Sequence, residues 1–230
     1  MTSNKKKARI AGLLYLVVVL TGVFSLAYVP SKLIFWDNPT ATYIAIKESE
    51  TLFRFGIVSG LVCYSFFLIL PIALYKLLKT VNEFYAKLMV LLAVISVPIS
   101  FINIQNKFAV LSLINNDSSI TVANEQLQNQ VMFYLNQYDN GILIVSIFWG
   151  LWLLPFGYLV YKSGFLPKFF GLLLMLGCIG YLINFIGNTL IPNYSTFGIS
   201  QYVSLPSTLG EIGICLWLLI MGAKERSSSI

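Results

Sequence analysis

An all-α membrane protein of six transmembrane helices is the fold class the sequence predicts, and three observations carry it. Hydrophobic residues fill 57% of the 230 positions and charged residues 10%, against about 25% charged in ordinary globular domains. Six long apolar runs carry no charge except Glu211: Ile10–Val29, Phe55–Tyr75, Leu88–Asn106, Asn140–Tyr161, Phe169–Leu190 and Tyr202–Gly222. About 20 residues at 1.5 Å rise cover the hydrocarbon core, so each run is long enough to cross as a helix. The short alternating strands of a membrane β-barrel are not visible.

The spans follow in order, as parts of a single integral membrane domain expected over residues 1–230. Ile10–Val29 follows the basic head Lys5, Lys6, Lys7 and Arg9. It is too long for a signal-peptide core and lacks a small-residue cleavage site, so it is expected to stay attached. Before Phe55–Tyr75, the segment Thr40–Phe53 places Tyr43, Ile44, Lys47, Glu48 and Leu52 at helical spacing. Before Asn140–Tyr161, the segment Thr121–Tyr138 follows a capping cluster, Asn115-Asn-Asp-Ser-Ser119. Both segments are expected to be short helices on the outer membrane face or lids on the bundle. In the turn Lys162–Lys168, Gly164 stops one helix and Pro167 starts the next. The last link, Ile191–Gln201, is short and uncharged, with Pro192 and Gly198 as breakers. The tail Ser227–Ile230 is expected to be disordered.

The net charge of +6 is distributed in a way that excludes a nucleic-acid surface and fixes a threading. With the N-terminus inside, the inner helix ends hold Lys5, Lys6, Lys7, Arg9, Lys76, Lys79, Lys87, Lys162, Lys168, Lys224 and Arg226. The outer ends hold only Lys32, Lys47, Arg54 and Lys107. A Lys/Arg excess in short loops marks the cytoplasmic side, which places both termini in the cytoplasm of a cell-membrane protein.

The inside-to-outside helices begin alike, with Arg9-Ile-Ala-Gly-Leu-Leu14, Lys87-Leu-Met-Val-Leu-Leu92 and Lys168-Phe-Phe-Gly-Leu-Leu173. The returning helices also rhyme, Leu151-Trp-Leu-Leu-Pro-Phe-Gly157 against Leu216-Trp-Leu-Leu-Ile-Met-Gly222. Three α-hairpin repeats would produce this pattern. Ordinary use of Leu, Gly and an interfacial Lys at helix ends would produce it as well.

Glu211 is the strongest pointer to function. An ionisable group near mid-span costs roughly 2.5–3.5 kcal/mol on insertion scales, so it normally faces the protein interior and has a partner. Ser204, Ser207, Thr208, Glu211 and Cys215 share one face of the last helix. Gly177, Gly180, Asn184, Gly187 and Asn188 form a matching stripe on the fifth, and Ser96, Ser100, Asn103 and Lys107 on the third. These stripes predict a polar pocket opening outward, with Glu211, Asn184, Asn188, Asn103, Lys107 and Arg54 as candidate residues. Asn184, Asn188 or Lys107 is expected as the nearest polar neighbour of Glu211. Simpler roles stand beside this one. Small residues let helices approach closely, Asn184 and Asn188 bond neighbouring helices, and Lys107 and Arg54 snorkel to the interface, Arg54 with Glu50 one turn earlier.

The enzyme classes thin out. The chain has no histidine, which removes Ser–His hydrolysis, Glu–His intramembrane proteolysis and histidine-based zinc or haem sites. Cys63, Cys178 and Cys215 are single and lie inside the spans, without metal or disulfide spacing. No metal and no cofactor are expected, and no catalytic constellation is recognisable.

Ala8-Arg-Ile-Ala-Gly-Leu-Leu-Tyr-Leu16, the segment Glu48–Gly56, and Trp149–Lys168 with its Trp-Leu-Leu-Pro-Phe-Gly core resemble the DUF4386 family, a domain of unknown function. Gly210-Glu211 with Leu216-Trp-Leu-Leu219 is similar too. The resemblance covers nearly the whole chain and implies a bacterial multi-pass membrane protein without an assigned activity. Family members often carry a histidine shortly before the fourth helix. This chain reads Leu135-Asn-Gln-Tyr-Asp-Asn-Gly141 there, so a role resting on that histidine does not carry over.

Together these readings favour a binding or transport-type module, handling a small or amphiphilic ligand in a pocket that includes Glu211. The alternatives are a structural or regulatory subunit whose stripes mediate helix packing or oligomerisation, and a lipid-modifying membrane enzyme. The expected partners are membrane lipids and a small-molecule or lipid ligand, with no nucleic acid.

Overall fold

The computed structural model describes residues 3–115 and 125–223. The capping cluster beyond Asn115, the start of the segment Thr121–Tyr138 and the tail Ser227–Ile230 lie outside the described residues. The described chain is all-helical, and six of its helical stretches are long and apolar enough to cross a membrane: Asn4–Leu33, Glu50–Leu78, Glu83–Asn115, Glu125–Lys162, Lys168–Leu190 and Ile199–Ile220. All six sequence runs are there, each inside one of these stretches except for a residue or two at the end of the last.

The helical stretches at the first four runs reach well beyond them because a helix has no reason to stop where the hydrocarbon ends. What stops it is a cap. Asn82 accepts a hydrogen bond from Tyr85 N–H (3.1 Å) just before α5, Glu83–Asn103. Asn38 accepts from Ala41 N–H (2.9 Å) before α3, Pro39–Glu48, whose first residue lacks the N–H that would be orphaned there. Gly164 turns the chain with φ +73° before α9, Lys168–Leu190. Pro167 stands at the N-cap of α9, as the sequence predicted.

Three spans are interrupted. In the first, α1 (Ser3–Val23) passes into a π-helical turn, Phe24–Tyr28, before α2, Val29–Leu33. Pro30 lies at the start of α2 and has no N–H to give to the preceding turn. The third span breaks at Ile104, between α5 and α6 (Gln105–Asn115). There the Asn106 side chain donates to the Asn103 carbonyl (3.1 Å), and Lys107 N–H turns instead to the carbonyl of Ile104 (2.9 Å). Such local side-chain bonds compete with the helix ladder. The fourth span breaks at Trp152, between α7 (Glu125–Leu151) and α8 (Leu153–Lys162), where Pro155 cannot bond to the Leu151 carbonyl.

The two segments expected on the outer face differ from each other. Thr40–Phe53 contains a separate short helix, α3, with α4 (Glu50–Leu78) beginning inside the same segment. Within Thr121–Tyr138, residues from Glu125 onward are not a separate helix; they form the first half of α7 and run unbroken into the fourth span. Val131, Leu135 and Tyr138 are buried along one face of this extension, so packing continues across the point where apolar composition begins. The link before α10 (Ile199–Ile220) is a 3-10 turn, Tyr194–Phe197, flanked by Asn193 and Gly198 in the left-handed region.

By density of contacts the chain falls into two compact units. The first comprises Met1–Val17, Phe66–Val97 and Ile144–Ile230; the second comprises Val18–Ser65 and Pro98–Leu143. In the first, α9 packs on α8 and α10 through small residues. A Cβ at Gly177 would meet the Ser207 backbone at 2.8 Å, and one at Gly171 the Gly157 carbonyl at 2.7 Å. In the second, Ser25 donates to the Gly56 carbonyl (2.7 Å), Ser59 to that of Thr21 (3.0 Å), and Thr40 of α3 to Gln128 of α7 (2.6 Å).

Candidate functional site

Glu211 sits midway along α10 and is half-buried. Its Oε2 accepts a 3.0 Å hydrogen bond from the hydroxyl of Tyr15 on α1. Among the described residues no basic side chain lies within ion-pair distance of it. The alignment that joins the two residues comes from Gly12. A Cβ there would lie 2.8 Å from the Leu218 carbonyl carbon, so the α1 and α10 backbones touch. One turn along, the Cys215 thiol points at the Gly12 carbonyl (3.7 Å), and the next turn brings Glu211 level with Tyr15.

The wall behind Tyr15 is aromatic. Tyr15 is 1% exposed, and its ring lies 6.2 Å from that of Trp152 and 6.4 Å from that of Phe156. Trp152 and Phe156 stack at 5.2 Å, and Phe67 stands edge-on to Trp152 at 5.1 Å. Trp152 therefore occupies the helix break and fills the space behind the carboxylate's partner. Tyr181 of α9 packs on Gly150 of α7 and lies within electrostatic reach of Glu211.

The asparagines of α9 do not partner Glu211. Asn184 donates to Ser204 Oγ (2.9 Å) and accepts from the Tyr194 hydroxyl (3.1 Å), while Asn188, exposed, donates to the Asn184 carbonyl (2.8 Å). Ser204 precedes Glu211 by two turns, about 10 Å along the helix, so this cluster ties the C-terminal end of α9 to the N-terminal end of α10. The expected pairing with Asn184, Asn188 or Lys107 is replaced by Tyr15.

The other three candidates belong to the second unit. Asn103, 8% exposed, donates to the Tyr138 carbonyl (2.8 Å), and its side-chain oxygen accepts from Asn106 (3.1 Å). Lys107 does not snorkel: it is 2% exposed, and its ammonium lies 4.1 Å from the centre of the Tyr138 ring. Arg54 is exposed and pairs with Glu50 one turn earlier (2.5 Å), the expected i,i+4 pair. The six candidates thus divide into separate arrangements, each with its own partners.

Sequence reasoning missed Tyr15, Trp152, Tyr181 and Tyr138. The usable signal was position. A tyrosine deep in a span, rather than at its end, needs a partner for its hydroxyl, and Tyr15, Tyr64 and Tyr181 all sit that way.

The family model for a domain of unknown function (DUF4386) matches residues 10–222. A protein of Archaeoglobus fulgidus described as an uncharacterized protein is 35% identical over 78 residues, which are 34% of this chain and 44% of the relative. The chain therefore spans less than half of the length of this curated relative. No solved structure matches.

Proposed function

The chain belongs to the DUF4386 family, and from that premise we propose a binding or transport-type protein of the bacterial cell membrane, with both termini cytoplasmic, that takes a small or amphiphilic ligand at Glu211. One observation carries the reading: the carboxylate has a single protein donor, Tyr15, and no basic partner among the described residues. A carboxylate accepts up to about four hydrogen bonds. An intramembrane acid left mostly unsatisfied is a functional group by default. The free capacity suits a ligand bearing an amine or hydroxyl, and the packed rings of Tyr15, Trp152 and Phe156 hold the carboxylate's partner in place behind it. A groove of about 470 Å³ between α9 and α10, lined by Leu176, Ile183, Tyr202 and Pro206 among others, offers room for an acyl chain along the helix that carries Glu211.

Native mass spectrometry of protein released from nanodiscs tests this reading. Wild-type protein should retain a bound small molecule or lipid, and Glu211→Gln should lose it without a change in thermal stability. Equal retention by both would overturn it.

A structural or regulatory subunit is the second reading. The closed amide cluster of Asn184, Ser204 and Tyr194 and the glycine seam between α9 and α10 favour it, since both serve packing without a ligand.

A further inference from the structure

Lys107 poses a charge problem that no acidic side chain among the described residues solves. The third span restarts at Gln105 after the break at Ile104, and Lys107 lies in the first turn of the new helix, α6. The first N–H groups of a helix have no intrahelical acceptor and carry partial positive charge. Side chains on a helix lean toward its N-terminus, so the Lys107 ammonium adds its charge to the same end. Lys107 is a buried residue, and its ammonium has the Tyr138 ring as its neighbour.

Three acceptors nearby already hold a donor. Asn103 Oδ1 and its carbonyl both accept from Asn106, and the Tyr138 carbonyl accepts from Asn103. Glu50 pairs with Arg54, and Asp139, next to Tyr138, is exposed and makes no ion pair with Lys107. An aromatic face offsets part of the cost of burying an ammonium, but three donors and a full charge remain. Broken spans use the same device elsewhere, aiming a half-helix N-terminus at an anionic group.

We propose that Lys107 and the N-terminal turn of α6 form a phosphate-binding site, independent of the reading of Glu211. Lysine recognises phosphate as a point charge, and a helix N-terminus supplies backbone donors to the same oxygens. The phosphate belongs either to an anionic lipid headgroup or to a free anion. Exposed Ile102 and Phe108 flank the break and suit acyl chains beside a headgroup.

The test uses full-length protein in nanodiscs of phosphatidylcholine alone, of phosphatidylcholine with phosphatidylglycerol, and of phosphatidylcholine with inorganic phosphate in the buffer. Thermal unfolding is followed for wild type, Lys107→Met and Lys107→Arg. Wild type should gain several degrees with one of the probes, Lys107→Arg should keep most of that gain, and Lys107→Met should lose it. A gain with phosphatidylglycerol alone identifies a headgroup, and a gain with inorganic phosphate identifies a free anion. No gain in wild type with either probe overturns the site, whatever the variants do. An equal gain in Lys107→Met overturns it as well.

Discussion

Tyr15 and Glu211, 196 positions apart in sequence, meet in a 3.0 Å hydrogen bond in which the phenol donates to the carboxylate. The bond closes the first transmembrane helix against the last, and the backbone contact at Gly12 sets its register. Hydrogen bonds between transmembrane helices average about 0.6 kcal/mol and reach about 1.7 kcal/mol. Tyr15→Phe is therefore expected to destabilise the protein by about 1 kcal/mol. A double-mutant cycle with Glu211→Ala, which removes the acceptor that Gln would keep, should give a coupling of similar size, measured by unfolding in mixed micelles. Strict additivity of the two changes would mean that the pair contributes nothing to stability.

The register prediction turns on Gly12. A side chain there meets the backbone of Leu218 and Leu219, which has nowhere to retreat. Gly12→Leu is expected to cost about 1–3 kcal/mol, the usual range for overpacking, and to abolish the Tyr15–Glu211 coupling in the same cycle. Gly164→Ala makes a useful contrast. Nothing lies within 4 Å of that position, but its φ of +73° penalises any side chain by about 1–2 kcal/mol. It should lower stability and leave the coupling intact.

The spans were legible because their signal is compositional and each run is long. Helix ends were less so: the N-terminal half of α7 is polar enough to read as a separate outer element, although Val131, Leu135 and Tyr138 continue one buried face through it. Glu211 was legible as an expensive group, and the helical wheel gave its face. Its partner was not, because periodicity says which way a side chain points and not which helix it meets. The repeated motif carried partial information. Gly12 and Gly171 occupy the same place in it, and both make close backbone contacts with a returning helix. Val90 stands at that place in the second copy, where a groove of about 390 Å³ remains between α4 and α5.

Topology follows from the lysine and arginine bias. In a background without Cys63, Cys178 and Cys215, single cysteines at Lys79 and Lys162 should resist an impermeant thiol reagent applied from outside, and one at Asn124 should react. The native thiols are all buried, so their replacement by small residues leaves polar contacts few to lose. Efficient outside labelling at Lys79 or Lys162, with none at Asn124, would reverse the threading.

The amide cluster of α9 and α10 separates packing from ligand chemistry. Asn184→Ala removes the acceptor of the Tyr194 hydroxyl and a donor to Ser204. Leaving such groups unpaired costs about 1–3 kcal/mol, so the melting temperature should fall. If a molecule is retained at Glu211 as proposed, its retention should not change in native mass spectra, because the cluster lies two helical turns from the carboxylate. Loss of that molecule in Asn184→Ala, at a temperature where the protein remains folded, would join the asparagine to the Glu211 site.

The last expectation concerns the N-terminal half of α7. Backbone amides exchange slowly where their hydrogen bonds belong to a unit that opens only with the packed structure. Glu125–Tyr138 is continuous with the fourth span, and Gln128 is held by Thr40 of α3. Buried Val131 and Leu135 anchor the same stretch. Hydrogen exchange in nanodiscs should therefore show protection that rises from Glu125 toward Tyr138, merging with that of the span. Thr40→Val, which removes the contact to Gln128 at nearly constant volume, should loosen the first two turns and leave the rest protected. Exchange over Glu125–Tyr138 at the rate of an unfolded peptide would show that the apolar face of this segment is not packed in the membrane-embedded protein, and that the fourth helix begins only where its apolar run does.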